Sequence, residues 1–417
     1  MENTCIISPN PLLKIAEIQG RGRALVSTQP LKPGQIILKD TPLLLYPATP
    51  LTKNNAFCSN CYKLILQSPI PCPRCNFSLF CTSNCQSLAL SSSHTPWVCQ
   101  SLTRFRDNLY NNINISSVIP QVGSGEVRMY TDLTPTLSLD QQIQVFFLIS
   151  AYNLSVINPS SFRVLLSLQG DPSFVSENDV VLLHSVVSTI CPSTNLGEFG
   201  FSKELTAALL AKDKVNAFGL MEPYDKDRER GVRAYGIYPV ASFFNHDCLP
   251  NACRFEYVDI DVSNGSNNTD MIVRVIHDVP EGREICLSYF PVNFKYSERQ
   301  QRLKEDYGFT CNCDRCVVEA NWSDQEDDDA MDNEGEEIEE DEDEAMEEDV
   351  DVDDEVIGNG EVEERDQDFP HAYFFIRYMC NQENCGGTLA PLPPSDASTS
   401  TVMECNVCGH LSKSDEL

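Results

Sequence analysis

The sequence is short of basic residues and has no long hydrophobic run. Lysine and arginine number 30 against 62 aspartate and glutamate residues, with no basic stripe, so we expect no direct nucleic-acid binding. No apolar stretch approaches the ~18 residues of a membrane-spanning helix, so we expect no membrane association. Residues 1–20 also lack the basic start and apolar stretch of a signal peptide, which favours a reducing compartment.

The acidic excess is confined to one segment. Residues 324–368 contain 27 acidic residues and one arginine, so they carry −26 of the net charge of −32 and leave −6 for the rest of the chain. A segment of this composition cannot bury enough apolar surface to fold, and we predict that residues 323–368 are disordered. The segment is either a solvated tether or an attractor for basic partners such as histone tails.

The chain is rich in cysteine, with 19 in total. Without a secretory signal, cysteines separated by two or three residues indicate metal binding and not disulfides. Residues 58–99 offer eight ligands, enough for two zinc ions, and their order suggests interleaved sets. Four protein ligands leave no position for water, so both ions would be structural; unpaired buried cysteines are the alternative. The two predicted sets are Cys58, Cys61, Cys81 and Cys85, and Cys72, Cys75, His94 and Cys99.

A third zinc site is predicted around Cys311, Cys313 and Cys316, which supply only three thiolates. Cys248 is the obvious fourth ligand, because a closed structural site needs four. Its use would tie the segment Asn245–Asn251 to a run about sixty residues downstream and pre-organise the polar side chains of that segment. The alternative is that Cys248 is only a small buried residue.

The end of the chain, residues 370–417, predicts a small zinc-ribbon-like module. Its paired cysteines are followed by glycines suited to tight turns around a metal. The ligands of this fourth predicted zinc site are Cys380, Cys385, Cys405 and Cys408.

Apolar periodicity predicts helices in the middle of the chain and strands on either side. Residues 140–158 show helical spacing, and further helices are predicted at about 177–190 and 202–212. Short strands joined by turns are predicted over 13–45. Strand-like segments return at 232–240, 252–260, 271–277 and 284–290.

Together these features resemble the SET- and MYND-domain (SMYD) family of protein-lysine methyltransferases, in its plant type. The most specific match is the segment Asn245–Asn251 followed by Tyr289 and the three-cysteine run. The resemblance implies an α+β fold, in which a split, β-rich, pseudoknot-like SET domain carries an inserted MYND zinc finger and a helical insert. The implied parts are the first part of the SET domain (12–57), the MYND finger (58–99), the helical insert (100–213), the core SET domain (214–290), the post-SET zinc segment (291–318), the acidic segment (323–368) and the C-terminal zinc-ribbon-like module (370–417).

The resemblance also implies S-adenosylmethionine as the cofactor. The turn that contains Gly22 looks like the family's glycine-rich loop, although an ordinary β-turn also fits it. The residues that match cofactor contacts of the family are Arg21, Gly22, Arg23, Asn216, Asn245, His246, Tyr289 and Phe309.

Tyr289 and Tyr307 match the tyrosines that line the family's target-lysine channel. Methyl transfer to an amine is an in-line displacement, so geometry and desolvation matter more than a strong base. An aromatic-walled channel favours the neutral amine that the reaction needs. Tyr289 would position this amine through its hydroxyl; for both tyrosines a purely structural role is the alternative.

The implied partner is a protein substrate with a target lysine, in a histone tail or a non-histone protein. The implied role is histone lysine methylation in the nucleus, with the cytoplasm as a second location. The alternative is a catalytically silent SET/MYND zinc-finger adaptor in transcriptional regulation. A silent domain would be expected to lose residues such as Asn245, His246 or Tyr289, and the presence of all three favours the enzyme.

Overall fold

The computed structural model describes residues 10–50, 56–115, 137–192, 199–260, 267–320, 371–394 and 399–413. The acidic segment predicted over 323–368 lies outside the described residues. Within the described ranges, no helix is both long and apolar enough to cross a bilayer.

The described strands are short and are shared among several small sheets. They are β1 (Leu13–Ile18), β2 (Gly22–Ser27), β3 (Ile36–Asp40), β4 (Leu44–Pro47), β5 (Ile70–Pro71), β6 (Leu79–Phe80), β7 (Ala217–Met221), β8 (Val232–Ile237), β9 (Asn245–His246), β10 (Ala252–Phe255), β11 (Met271–Val275), β12 (Cys286–Leu287), β13 (Leu389–Pro391), β14 (Val402–Cys405) and β15 (Leu411–Lys413).

Helices fill the middle of the chain and its later connections. The α-helices of the described residues are α1 (Ser83–Ser91), α2 (Pro96–Ile115), α3 (Leu139–Ile157), α4 (Pro159–Ser167), α5 (Glu177–Ile190), α6 (Lys203–Asn216), α7 (Tyr296–Arg302), α8 (Asp314–Glu319) and α9 (Ala372–Tyr378).

Strands from distant parts of the chain meet in the central sheets. Two antiparallel sheets have the orders β10–β11–β3 and β4–β8–β7, so each joins the N-terminal part to the part after the helices. β9 and β12 pair in parallel, with Asn245 opposite Cys286 and His246 opposite Leu287. This pairing brings the two most specific sequence motifs side by side, as the expected split fold requires.

The helical insert packs around α3. This helix begins with a capping box between Ser138 and Gln141 and buries Phe147, whose ring lies 5.3 Å from that of Tyr46 on β4. The predicted helix at 177–190 coincides with α5, but the helices extend beyond both ends of the predicted 100–213 insert, from Pro96 to Asn216. The first turn of α2 contains Cys99, so the predicted finger runs directly into the insert.

Several strands are shorter than predicted, and several elements were not predicted. The predicted strand at 284–290 contains only the two residues of β12, because its neighbours turn into the site described below. The unpredicted elements include α4, whose N-terminus is capped by the Asn158 side chain, and β7, which follows α6 without a break.

The C-terminal module, residues 371–394 and 399–413, packs against the β10–β11–β3 sheet. Its own three-stranded sheet, β13–β14–β15, contributes Leu389 and Met403 to an apolar cluster that also contains Phe255 and Ile272. The module therefore shares a hydrophobic core with the central part of the chain.

Candidate active site

The turn between β1 and β2 places Arg21 against the Asn-His motif. Gly20 and Gly22 have φ values of +78° and +73°, which residues with a side chain rarely adopt. The Arg21 guanidinium donates to the His246 carbonyl oxygen at 2.6 Å and lies 3.2 Å from the Glu284 carboxylate. A Cβ atom at either glycine would meet no heavy atom within 4 Å among the described residues.

Glu284 orients the side chain of Asn245. The Asn245 amide donates to Glu284 Oε1 at 2.8 Å, so one carboxylate holds both this amide and Arg21. Glu284 was not predicted from the sequence, because its position before β12 carries no recognisable motif. The only signal was that Glu284 lies just before β12, the strand that pairs with the Asn-His motif in β9.

The His246 imidazole is buried and has a protein partner at each nitrogen. Nδ1 accepts from the Tyr289 backbone N–H at 3.1 Å, and Nε2 lies 3.2 Å from Cys248 Sγ. Burial lowers the pKa of His246 to about 3, so the ring is neutral near pH 7. Since Nδ1 is an acceptor, the proton is on Nε2 and is donated toward the sulfur.

The rings of Tyr289 and Tyr307 pack against each other at an interplanar angle of 43°, and Tyr289 lies beside this histidine. Their ring centroids are 4.8 Å apart, and the Tyr289 hydroxyl donates to the Phe244 carbonyl oxygen at 2.9 Å. Burial raises the pKa of both tyrosines above the usual value, so both phenols keep their protons near neutral pH. A phenol whose hydrogen is already donated still offers its oxygen as an acceptor.

The segment before Phe244 is held by Asp40 at the end of β3. Its carboxylate accepts from the backbone N–H groups of Val240 and Ala241, each at 2.8 Å. Burial raises the pKa of Asp40 to about 6. Asp40 thus fixes the 3₁₀ turn Ala241–Phe243 that leads into the Asn-His motif.

Of the other predicted cofactor residues, Arg23 and Asn216 meet near the end of α4, whereas Phe309 lies beside Tyr307. The Arg23 guanidinium donates to the Ser167 carbonyl oxygen at 2.8 Å, and the Asn216 amide donates to the Gln169 carbonyl oxygen at 2.7 Å. Phe309 is 39% exposed, and its ring centroid lies 6.5 Å from that of Tyr307. Arg23 and Asn216 are thus anchored by the helical insert, while Phe309 presents an aromatic face beside the tyrosines.

The third predicted metal site closes over this region. Cys248 Sγ lies 4.0 Å from Cys311 Sγ and 3.5 Å from Cys316 Sγ. All four ligand sulfurs, with that of Cys313, lie within 4.8 Å of one another. Four thiolates at this separation suit a tetrahedral zinc ion, which is four-coordinate in structural sites.

Two buried arginines brace the same site. Arg299 donates to Glu319 Oε2 at 2.5 Å and approaches Cys316 Sγ at 3.8 Å. Arg315 donates to Glu319 Oε1 at 2.6 Å. Their charges offset part of the negative charge that four thiolates would bring. None of Arg299, Arg315 and Glu319 was predicted from the sequence.

The comparisons with known proteins agree with this geometry. The family model described as the SET domain matches residues 22–290, more than half of the chain. The chain belongs to the SET-domain family. The histone-lysine N-methyltransferase ASHR2 of Arabidopsis thaliana is 51% identical over 421 residues, a match that covers 98% of this chain and 97% of that protein.

More distant relatives cover most of the chain as well. A SET and MYND domain-containing protein of Dictyostelium discoideum is 23% identical, over 76% of this chain and 84% of that protein. Among solved structures, the SET domain of LSMT bound to lysine and AdoHcy matches with a TM-score of 0.27 and 13% identity, over 73% of this chain and 54% of that one. This last likeness is too remote for a comparison of sites.

The remaining predicted ligand sets of this SET-domain chain also come together. In each set the ligand atoms lie within 4.8 Å of one another, and the predicted interleaving of the finger is what the fold brings about. Representative pairs are Cys61 and Cys81, 3.7 Å apart, and Cys75 and His94 Nε2, 3.5 Å apart. The donors fit zinc in number and kind, and all four sets would be closed structural sites.

Proposed function

We propose that this chain is an S-adenosylmethionine-dependent protein-lysine N-methyltransferase whose substrates include histones. The observation that carries the proposal is the Tyr289–Tyr307 pair, whose tilted rings pack together beside the Asn-His motif and are closed over by the third metal site. The 51% identity with a protein named histone-lysine N-methyltransferase supports it.

The proposed cofactor site is the space between the β1–β2 turn, Asn245 and Phe309. When bound there, S-adenosylmethionine supplies an activated methyl group. Arg21, Gly22 and Arg23 would line one side, and Asn216 would fix the helical wall. Both imidazole nitrogens of His246 have protein partners, so this residue would serve the cofactor site by holding Tyr289 and the motif backbone.

The tyrosine pair would prepare the target lysine. The aromatic channel disfavours the ammonium form, since burial in apolar surroundings lowers the pKa of a lysine. The Tyr289 hydroxyl hydrogen is held by the Phe244 carbonyl oxygen, so the phenol oxygen is left to accept from the incoming neutral amine. Tyr289 would thereby orient the nitrogen lone pair for in-line attack.

The proposed location is the nucleus, with the cytoplasm as a second compartment. A fluorescent fusion of the full chain, scored by microscopy, tests this part.

The acidic segment at 323–368 would raise the local concentration of basic substrates such as histone tails. Deleting it should slow association with basic peptides and flatten the salt dependence, and an unchanged salt dependence would contradict this role.

Purified protein, labelled S-adenosylmethionine, core histones and a cell extract provide the main test. Wild-type protein should transfer label to protein lysine, and Tyr289→Phe should reduce the rate roughly a hundredfold, as expected for the loss of one positioning hydrogen bond. Cys248→Ser should damage activity nearly as much, although Cys248 touches no substrate. No labelled product, or product unaffected by Tyr289→Phe and His246→Ala, would favour the silent-adaptor alternative.

A further inference from the structure

The C-terminal module touches the segment that directly follows Tyr289. Gly386 is next to the predicted metal ligand Cys385 and has a φ of +60°. A Cβ atom at Gly386 would lie 3.1 Å from Asn293 Oδ1 and 3.2 Å from Pro291 Cβ. The loop that holds the fourth metal site therefore rests on residues 291–294, and a side chain at Gly386 would force these neighbours to shift.

A second contact from the module reaches the third metal site. The Arg315 guanidinium lies 4.6 Å from the ring centroid of Phe375 on α9. Arg315 is 5% exposed and donates to the carbonyl oxygens of Val292 at 2.6 Å and of Phe294 at 3.1 Å. Because Arg315 lies between two ligands of the third site, Phe375 packs on the residue that joins this site to residues 291–294.

Both contacts thus converge on residues 291–294, the first four residues of the post-SET zinc segment, which begins two residues after Tyr289. The junction between the module and the central sheet lies elsewhere, at Arg274 and Glu404. The convergence on residues 291–294 is therefore separate from the packing that holds the module in place.

We propose that the C-terminal module, held together by the zinc ion of the fourth site, positions the third metal site and the tyrosine channel. The module clamps residues 291–294 with its metal loop and fixes Arg315 with α9. The effect on the channel rests on the proposed methyltransferase function, whereas the effect on the third metal site does not.

Site-resolved alkylation of full-length, zinc-loaded protein tests the clamp. A chelator and iodoacetamide are added together, and peptide mass spectrometry follows each cysteine, because zinc protects its thiolates. Phe375→Ala should expose Cys311, Cys313 and Cys316 about fivefold faster, the loss expected for one partly desolvated cation–π contact. Phe375→Trp keeps a ring and should restore the wild-type rate.

The matched control is Ile376→Ala on the same helix, since Ile376 is 64% exposed and should not affect the rate. The finger cysteines are the internal control, and their rates should not change in any variant. A Phe375→Ala rate equal to wild type would overturn the proposal, and so would an equal acceleration in the finger, which would mean general destabilisation.

Gly386→Ala and Gly409→Ala form a second matched pair within the module. Both glycines have positive φ, +60° and +70°, so both substitutions strain the backbone similarly. Only Gly386 faces residues 291–294, while a Cβ atom at Gly409 meets no described heavy atom within 4 Å. Gly386→Ala alone should accelerate alkylation of the third site, and equal acceleration in both variants would contradict the clamp.

The alkylation readout needs no substrate, so the two proposals can fail separately. Absence of methylation by the wild-type protein, with third-site alkylation faster in Phe375→Ala, removes the enzyme and leaves the clamp. Active wild-type protein without that acceleration removes the clamp and leaves the enzyme. In an active protein, the kcat of Phe375→Ala should fall by a factor similar to its gain in alkylation rate.

Discussion

The finger and the C-terminal module are both small metal-stapled units, but they join the SET domain in different ways. The finger has an apolar cluster of its own, built from Phe80, Ala89 and its buried ligand cysteines. The cluster of the module is shared with Phe255 and Ile272 of the central sheet. Ligand spacing therefore indicates how such a unit is held together internally and does not indicate what it packs against.

The polar contacts show the same contrast. Two hydrogen bonds reach the backbone of the finger, from Arg233 to the Tyr62 carbonyl oxygen at 3.0 Å and from Asn268 to the Cys61 carbonyl oxygen at 2.8 Å. At the module, Arg274 is 1% exposed and pairs with Glu404 at 2.8 Å. The SET domain thus buries a charge whose partner belongs to the module.

Removal of one metal ligand from each unit should give the largest difference in thermal stability between variants of the finger and variants of the C-terminal module. Cys405→Ser should lower the temperature of the main unfolding transition, because loss of the fourth zinc uncovers part of the shared core. Binding of structural zinc contributes about 10–16 kcal/mol in small domains. Cys72→Ser should release zinc from the finger and leave that transition nearly unchanged. Calorimetry with zinc analysis measures both, and equal shifts would erase the contrast.

Glu404→Ala should have the next largest effect. It leaves the Arg274 charge buried without a partner, at a cost of about 3–5 kcal/mol in the free energy of unfolding measured with urea. The double variant Arg274→Met, Glu404→Leu should recover much of this loss, because an apolar pair carries no desolvation cost. Arg233 also pairs with Asp259 at 2.6 Å beside the finger, and Asp259→Ala should cost less, since Arg233 keeps its bond to the Tyr62 carbonyl oxygen.

The pH dependence of stability should separate the SET domain from both metal units. The folded-state pKa of Asp40, about 6, lies above its ordinary value of 3.8, so the folded protein holds this proton more tightly. Asp40 therefore contributes stability at low pH that is lost as the pH rises from about 4 to about 6, on the order of 3 kcal/mol. The metal units change in the opposite direction, because their cysteines release zinc when protonated.

Asp40→Asn isolates the pH-dependent contribution of Asp40 to stability, because an asparagine side chain cannot titrate. The difference in unfolding free energy between wild type and Asp40→Asn should vary across the window from pH 4 to 6 and stay flat above pH 7. A constant difference over the whole range would show that Asp40 does not titrate in this window.

The smallest expected effect is that of Tyr257→Phe at the module junction. The Tyr257 hydroxyl donates to Glu404 Oε2 at 3.1 Å, and loss of one such bond costs about 1 kcal/mol. Urea titration of the main transition measures it. If Tyr257→Phe causes no loss of stability in the Arg274→Met, Glu404→Leu background, the Tyr257 hydroxyl acts only through Glu404.

The sequence predicted the metal sets and the meeting of the two motifs because these depend on short spacings and on donor chemistry. It could not predict Glu284 or Arg315, because each acts on partners that only the tertiary fold brings near. Strand lengths were overestimated at 284–290, where the chain pairs for two residues and then turns toward Tyr289. The roles of Arg21, Gly22, Arg23, Asn216 and Phe309 toward the cofactor remain predictions.

The shared core has a consequence for the order in which the protein is made. Glu404 follows Arg274 by 130 residues, so a ribosome adding roughly 5–20 residues per second synthesises it about 6 to 26 seconds after Arg274. Until then Arg274 lacks its carboxylate partner, and Phe255 and Ile272 lack the apolar side chains of the module. The central sheet is therefore fully covered only after the C-terminal module has been made.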